Sequence, residues 1–338
     1  MEGILAGWFQ EIPLAALFVV IALMLLTLSK GADLLVDEAV ALSVRAGISR
    51  VIIGATIISV GTTLPEASVS VMSAVSGDPE LALGNAVGSI ICDTGLILGI
   101  AALIGPIPLE PCIVNRQGWI QFGSGLLLVL SCIPFMDPAS VFTVGGRLPR
   151  FAGVMFLVLL LFYLWFSMRW AKTTAESVGG KETGAAGYLA IIARITFGIA
   201  VVILSSKVLI PAVQETALRL SVPRGIIAAT LVAFGTSLPE FVTAITAVRK
   251  GYGELALGNI IGADILNVLF VSGLSAAVTS GGLVASKEFF TLLFPAMLAV
   301  LVVFRVGIAL SGNTLKRPFG GVLLGIYLII TILSYRAV

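Results

Sequence analysis

The chain contains no histidine, three cysteines and few charged residues, which make up 11% of its 338 positions. Without histidine, the protein lacks the most common transition-metal ligand and the side chain that ordinarily titrates near neutral pH. Cys112 and Cys132 flank a predicted helix of about 20 residues, which holds them about 30 Å apart and excludes a disulfide between them. The net charge is +2 and the basic residues are scattered along the chain, so nucleic-acid binding is not expected.

Long apolar runs dominate the sequence. Hydrophobic residues make up 58% of the chain, and short polar joints separate the runs, as is typical of a protein whose solvent is the lipid bilayer. Residues 1–12 contain no basic segment, so no cleavable signal peptide is predicted. We expect an all-α integral membrane protein with ten transmembrane helices, at about 13–44, 50–76, 80–104, 117–134, 150–170, 188–220, 225–250, 254–278, 288–306 and 318–336.

A polar linker at 171–187 divides these helices into two sets of five, in residues 1–170 and 188–338. Because each set has an odd number of spans, the second set enters the membrane upside down relative to the first. More lysines and arginines fall in the joints on the inner side when the N-terminus is placed on the outer side. Both termini are therefore predicted to lie on the outer side of the cell membrane. No required protein partner is indicated, and a monomer is expected.

Two stretches of sequence recur 174 positions apart without a gap. Gly-Thr-Thr-Leu-Pro-Glu at 61–66 is matched by Gly-Thr-Ser-Leu-Pro-Glu at 235–240, and Glu-Leu-Ala-Leu-Gly-Asn at 80–85 by an identical segment at 254–259. Small residues recur in membrane helices through packing alone, but an ungapped six-residue identity beside the first match indicates a duplication. Inverted repeats that meet at a midplane binding site are an architecture of secondary transporters.

Acidic residues lie inside the predicted spans, at Glu66, Asp93, Glu240 and Asp264. A carboxylate in a membrane helix costs about 2.5–3.5 kcal/mol unless it has a partner. Few basic residues lie nearby, so a functional role is favoured over a structural ion pair. A turn midway between Glu66 and Asp93 is expected to bring both side chains to one depth on antiparallel helices, and a second turn relates Glu240 and Asn267 in the same way.

A proline precedes each repeated glutamate. Pro65 cannot donate a backbone hydrogen bond to the carbonyl of Gly61, and Pro239 cannot donate to that of Gly235. Each proline is therefore expected to break its helix and to free a carbonyl oxygen. Together with neighbouring hydroxyls and carboxylates, these carbonyls form a set of hard oxygen donors of the kind that sodium and calcium accept.

The repeats also contain paired glycines and asparagines for which two roles stay open. The glycines allow neighbouring helices to approach closely, either for packing alone or to shape a site. The asparagines either bind an ion through their amide oxygens or brace the broken helices. These residues are Gly84, Gly88, Gly258, Gly262, Asn85 and Asn259.

The paired motifs, with Gly-Asn-Ala-Val-Gly-Ser at 84–89 and Gly-Asn-Ile-Ile-Gly-Ala at 258–263, resemble the two alpha repeats of the sodium/calcium exchanger family, within the cation/calcium antiporters. The resemblance covers both repeats and fits ten helices arranged as two inverted five-helix repeats. It implies a secondary active antiporter that exchanges Na⁺ for Ca²⁺ by alternating access at a midplane carboxylate site. The transported ions are then Ca²⁺ and Na⁺, and no organic cofactor is expected.

The resemblance also implies a set of ion ligands. Glu66 and Glu240 are expected to bind both calcium and sodium, and Asp93 and Asn267 are expected to close the centre. Backbone carbonyls are expected from Thr62 and Thr236, and those of Ser59 and Ala233 are expected to contribute to flanking sodium sites. Hydroxyl oxygens are expected from Thr63, Ser237 and Ser89.

The chain departs from the prokaryotic pattern of the family in three respects. The acid and the amide have exchanged repeats, which leaves Asp93 where the pattern has asparagine and Asn267 where it has aspartate. Ala263 replaces a serine and removes one hydroxyl, whereas Asp264 replaces an asparagine and adds an acid. Asp264 is therefore a further candidate ligand, and the departures bear on sodium stoichiometry and ion preference.

Other function classes are compatible with parts of this pattern. A proton-driven cation exchanger of the same superfamily also uses buried acids, although that branch usually has a glutamate where Gly88 and Gly262 stand. A passive cation channel also uses oxygen-lined helix breaks but needs a continuous pathway. A membrane enzyme is not expected, because the chain has no nucleotide-binding loop, soluble catalytic domain or histidine-based metal site.

Overall fold

The structure, a computed structural model, describes residues 8–134, 136–175, 187–220 and 233–337. These residues are almost entirely helical, apart from a short antiparallel pair of strands, β1 (Gly146–Leu148) and β2 (Leu283–Ala285), in which Arg147 lies opposite Val284. The helices of the first half are α1 (Leu14–Ala46), α2 (Arg50–Thr62), α3 (Leu64–Val75), α4 (Pro79–Ile104), α5 (Pro111–Cys132) and α6 (Arg150–Ala175). Those of the second half are α7 (Tyr188–Arg219), the short α8 (Ala233–Gly235), α9 (Leu238–Arg249), α10 (Gly253–Val278), α11 (Phe289–Ser311) and α12 (Arg317–Ala337).

Within the described ranges, seven helices are long and apolar enough to cross a membrane, namely α1, α4, α6, α7, α10, α11 and α12. The bent pair formed by α2 and α3 makes an eighth when it is counted as one span. The chain is thus an all-α multi-pass membrane protein, as its composition predicts. The remaining predicted spans correspond to α5, which carries polar side chains along its length, and to α9, which is short.

Several predicted boundaries differ from those of the helices. Helix α5 begins at Pro111 rather than at 117, because proline at the first helical position has a backbone angle already suited to a helix. Helix α6 continues to Ala175, inside the predicted linker, and 176–186 lie outside the described residues. The predicted span at 225–250 is described only from Ala233 onward.

Tight turns at equivalent places in the two repeats fold the chain into helical hairpins. Gly77 joins α3 to α4 with a φ of 95°, and Gly251 joins α9 to α10 with a φ of 82°, a conformation that favours glycine. Asp78 accepts a hydrogen bond from the backbone N–H of Leu81 (3.1 Å) and so caps the start of α4. The turns confirm the hairpins that place Glu66 and Asp93 on neighbouring helices.

Helices α4 and α10 form the centre of the molecule, since most of their residues are buried, whereas α1 and α12 lie largely exposed at the periphery. Helix α10 packs closely against α2. A Cβ atom built at Gly258 would overlap the backbone of Val51, and one built at Gly262 would lie 2.5 Å from the Cα of Ala55. By contrast, no described atom lies within 4 Å of a Cβ built at Gly88. The glycines of the second repeat therefore serve helix packing.

Helices α1 and α7 pack along each other and form a pair at one side of the core. Arg194 of α7 makes a 3.0 Å ion pair with Glu38 of α1, and the hydroxyl of Ser205 donates to that of Thr27. A separate ion pair links α1 to the end of α9, where the Lys250 ammonium lies 2.9 Å from Asp37 and 3.2 Å from Asp33. The charges near the end of α1 thus connect helices at the protein surface.

Candidate cation-binding site

The two proline motifs interrupt helices, as the sequence predicts. Helix α2 ends at Thr62 and α3 starts at Leu64, with a bend of 44° between them. Pro65 stands in the first turn of α3, and Pro239 occupies the same place in α9, which follows the break after α8. Each break places the following glutamate in the first turn of a helix, beside backbone groups that have no partner within that helix.

The breaks bring three carboxylates together. Glu66 and Glu240 lie in the first turns of α3 and α9, and Asp93 lies in a π-helical segment of α4, Cys92–Ile97. Glu66 is close enough to both Glu240 and Asp93 for their charges to repel. All three are essentially inaccessible to solvent, so the spacing-based prediction that Glu66 meets Asp93 is confirmed.

These carboxylates have no partner in the described part of the protein. Both oxygens of each one are buried without a hydrogen bond. Several uncharged oxygens are buried and unpartnered in the same way, namely Thr63 Oγ1, Ser89 Oγ, Ser237 Oγ and Asn267 Oδ1. The Ser237 side chain lies beside Asp93, and Thr62 lies beside Glu240. Buried acceptors without donors are costly, and a cation supplies the interaction that they lack.

The asparagines of the repeats brace the site across its two halves. Asn85 donates to the Ser70 hydroxyl (2.9 Å) and to the carbonyl of Glu66 (3.3 Å), and it accepts from Thr236 (3.4 Å). Asn259 accepts in the same way from the hydroxyl of Thr62 at 3.5 Å. Each asparagine therefore contacts a threonine of the opposite repeat, and these contacts favour the bracing role that the sequence left open.

Two residues whose backbone carbonyls are expected to bind ions, Ser59 and Ala233, belong to helices at the breaks. The carbonyl of Ser59 accepts a hydrogen bond from the backbone N–H of Thr63 (2.9 Å), and the Ser59 hydroxyl donates to the carbonyl of Thr56 (3.4 Å). Ala233 begins α8. The hydroxyls of Thr62 and Thr236 are directed to the asparagines.

Asp264, whose direction the sequence does not determine, points toward α5. Its Oδ2 accepts hydrogen bonds from the Thr94 hydroxyl and from the Gln121 amide, each at 2.5 Å, while Oδ1 is buried without a partner. Thr94 and Gln121 were not singled out from the sequence. A signal existed for Gln121, because two glutamines four positions apart in an apolar span, Gln117 and Gln121, indicate a buried polar helix face.

The donor set is made of oxygens with few charges. Glu66, Glu240 and Asp93 lie near one another, but among the described residues no three Asp, Glu, Cys or His side chains are close enough together to hold one metal ion. An ion between Glu66 and Glu240 would therefore bind mainly to uncharged hydroxyl, carbonyl and amide oxygens around two carboxylates. Such sites suit hard cations such as Na⁺ and Ca²⁺. Calcium accepts about six to eight oxygen ligands.

Comparison with known families agrees with this geometry. A family model described as sodium/calcium exchanger protein matches residues 16–169 and 190–336. The chain belongs to the sodium/calcium exchanger protein family. The resemblance inferred from the paired motifs is confirmed, and the chain is a multi-pass membrane transporter of this family.

Relatives cover nearly the whole of this exchanger-family chain. It is 28% identical to the sodium/calcium exchanger MaX1 of Methanosarcina acetivorans, over 92% of this chain and 96% of the relative. It is 32% identical to the inner membrane protein YrbG of Escherichia coli, over 89% and 94%. A solved structure of the sodium-calcium exchanger NCX_Mj, soaked with 2.5 mM Na⁺ and 10 mM Sr²⁺, is 25% identical, with a TM-score of 0.75 over 94% of this chain and 98% of that one.

Proposed function

We propose that this protein is a secondary active antiporter that exchanges Na⁺ for Ca²⁺ at the buried centre between Glu66 and Glu240. The observation that carries the proposal is the meeting of these two unpartnered carboxylates, one from each repeat, at two helix breaks. Family membership and the likeness to sodium-calcium exchangers support it.

The chemistry of the centre favours ions of this kind. Two carboxylates balance the charge of one calcium ion, and Thr63, Ser237 and Ser89 supply uncharged oxygens in the same buried region. Sodium needs the same carboxylates, so sodium and calcium compete for the glutamate pair. Competition for a site that opens to one side at a time couples the two fluxes.

The arrangement of the chain supports alternating access. The halves carry helix breaks, glycine turns and the buried glutamates Glu66 and Glu240 at positions 174 residues apart. We propose ten spans arranged as two inverted repeats, with α5 and α9 as the two that are less apolar or shorter than the rest. In this topology both termini lie on the outer side of the cell membrane, and the functional unit is a monomer in the lipid bilayer.

A proton-driven cation exchanger is the second candidate. It is favoured by one observation, since unpartnered buried carboxylates take up protons as well as sodium. Reconstituted protein distinguishes the two: radiolabelled Ca²⁺ uptake is measured with an outward Na⁺ gradient, then with a pH gradient at zero Na⁺. Uptake driven only by the pH gradient would overturn sodium coupling, and Ca²⁺ movement without any counter-ion would indicate a passive channel.

The same assay tests the centre. Glu66→Gln and Glu240→Gln should each reduce exchange at least about 100-fold, because removing one member of a buried charged group costs about 3–5 kcal/mol. Glu80→Gln is the matched control, since Glu80 is an exposed residue at the start of α4. Near-normal exchange in both centre variants would refute the assignment.

A further inference from the structure

Asp264 is held by two donors that converge on one of its oxygens. The Thr94 hydroxyl and the Gln121 amide both lie 2.5 Å from Oδ2, and the same amide lies 3.2 Å from the Thr94 hydroxyl. Asp264, Thr94 and Gln121 are all buried. This arrangement fixes the carboxylate in one orientation and leaves its other oxygen, Oδ1, buried without a partner.

The nearby Asp93 faces the same region with both of its oxygens unpartnered. Asp93 is adjacent in sequence to Thr94, and its carboxylate lies close enough to those of Glu240 and Asp264 for their charges to repel, so it stands between the glutamate pair and Asp264. Three carboxylate oxygens that have no donor among the described residues therefore occupy one buried region between α4, α5 and α10.

A charge count shows that one calcium ion does not balance all of the buried acids. In the described part of the chain, none of the ion pairs includes any of the four buried acids, Glu66, Asp93, Glu240 and Asp264. One calcium ion balances two carboxylates and leaves two more in a low-dielectric interior, and one monovalent cation would lower that unbalanced charge from two to one. Buried charges without a counter-charge are strongly disfavoured.

We propose that Asp93 and Asp264 form a second cation position that takes a monovalent alkali ion, Na⁺, while Ca²⁺ occupies the glutamate pair. This inference rests on the proposed function, since it assumes a calcium centre at Glu66 and Glu240. Gln121 and Thr94 act as positioning residues: by binding Oδ2, they direct Oδ1 of Asp264 toward the ion. One sodium ion then stays bound with calcium instead of competing with it.

The test is equilibrium binding to the purified full-length protein in lipid nanodiscs, with radiolabelled Na⁺ and radiolabelled Ca²⁺ measured together. At saturating Ca²⁺ the wild type should retain one Na⁺ per chain. Asp264→Asn should lose this Na⁺ and still bind Ca²⁺. Gln121→Ala should weaken Na⁺ retention about tenfold, as expected for the loss of a hydrogen bond to a charged group.

Gln117→Ala is the matched control for the positioning role. Gln117 lies one turn earlier on α5, is equally buried, and donates to Ser167 instead of Asp264. It should retain Na⁺ as the wild type does, and thermal denaturation checks that each variant is folded. Equal Na⁺ retention in the Gln121 and Gln117 variants would overturn the positioning role.

Two further outcomes separate the inference from the proposed function. If the wild type binds Ca²⁺ but retains no Na⁺ at saturating Ca²⁺, or if Asp264→Asn retains Na⁺ fully, the second cation position is wrong and the calcium centre stands. If Ca²⁺ binding is absent, or is unaffected by Glu66→Gln and Glu240→Gln, the proposed function itself fails.

Discussion

Replacing Gly262 with alanine tests the close approach of α10 to α2. The added Cβ would lie 2.5 Å from the Cα of Ala55, and 2.6 Å from both its carbonyl oxygen and the Ser59 hydroxyl. Two of these atoms belong to the backbone, so a rotamer change cannot relieve the overlap. Restoring ordinary contact requires the helices to separate by about 1 Å, and overpacking of this kind costs about 1–3 kcal/mol.

The repeat supplies a matched variant. Gly88 is the counterpart of Gly262, and no described atom lies within 4 Å of a Cβ built there. We expect Gly262→Ala to lower the thermal denaturation midpoint of the purified protein by several degrees and to weaken sodium binding, because Ser59, whose carbonyl is expected at a flanking sodium site, lies at the displaced surface. Gly88→Ala should leave the midpoint near that of the wild type. Equal midpoints for both variants would refute the argument from helix separation.

Two other predictions concern the site and the α1–α9 contact. Asp93→Asn combined with Asn267→Asp should retain more exchange than either single change, because the double variant restores the charge that each single change alters. Initial rates of Na⁺-driven Ca²⁺ uptake check this. A double variant no better than the worse single variant would contradict it. Lys250→Gln should change the exchange rate by less than about 30-fold, because it removes ion pairs with Asp33 and Asp37 that are each worth up to about 1 kcal/mol, or about 2 kcal/mol together, at an exposed site. Raising choline chloride should shrink this difference, since salt screens exposed charges, and a difference that persists at high salt would point to another cause.

Local chemistry made much of the fold predictable. A proline has no backbone N–H, so Pro65 and Pro239 signalled helix breaks, and the structure has them. Glycine tolerates a positive φ, so turns at Gly77 and Gly251 could be predicted. A regular helical rise on either side of the first turn then placed Asp93 beside Glu66. Each of these inferences depends on residues within one helical hairpin, where spacing along the chain fixes distance in space.

Boundaries that depend on weaker local preferences were less well predicted. Helix α5 starts at Pro111, although the apolar run that reveals a membrane span begins later. Asn115 and Arg116 interrupt the apolar run before the predicted start, whereas Gln121 lies inside the predicted span and proved to face a buried acid. Hydropathy averages a whole helix and therefore misses a single polar face directed inward.

The sequence by itself determined the duplication, the helix breaks, the hairpins and the family, because these follow from residue order within short segments. Only the tertiary structure decided which oxygen of Asp264 is held and that Thr94, 170 positions away, holds it. It also decided that Gly262 packs against α2 while its counterpart Gly88 does not. The physical reason is that corresponding repeat segments acquire different neighbours once distant helices pack. The sequence of one helix does not specify how a distant helix is oriented against it.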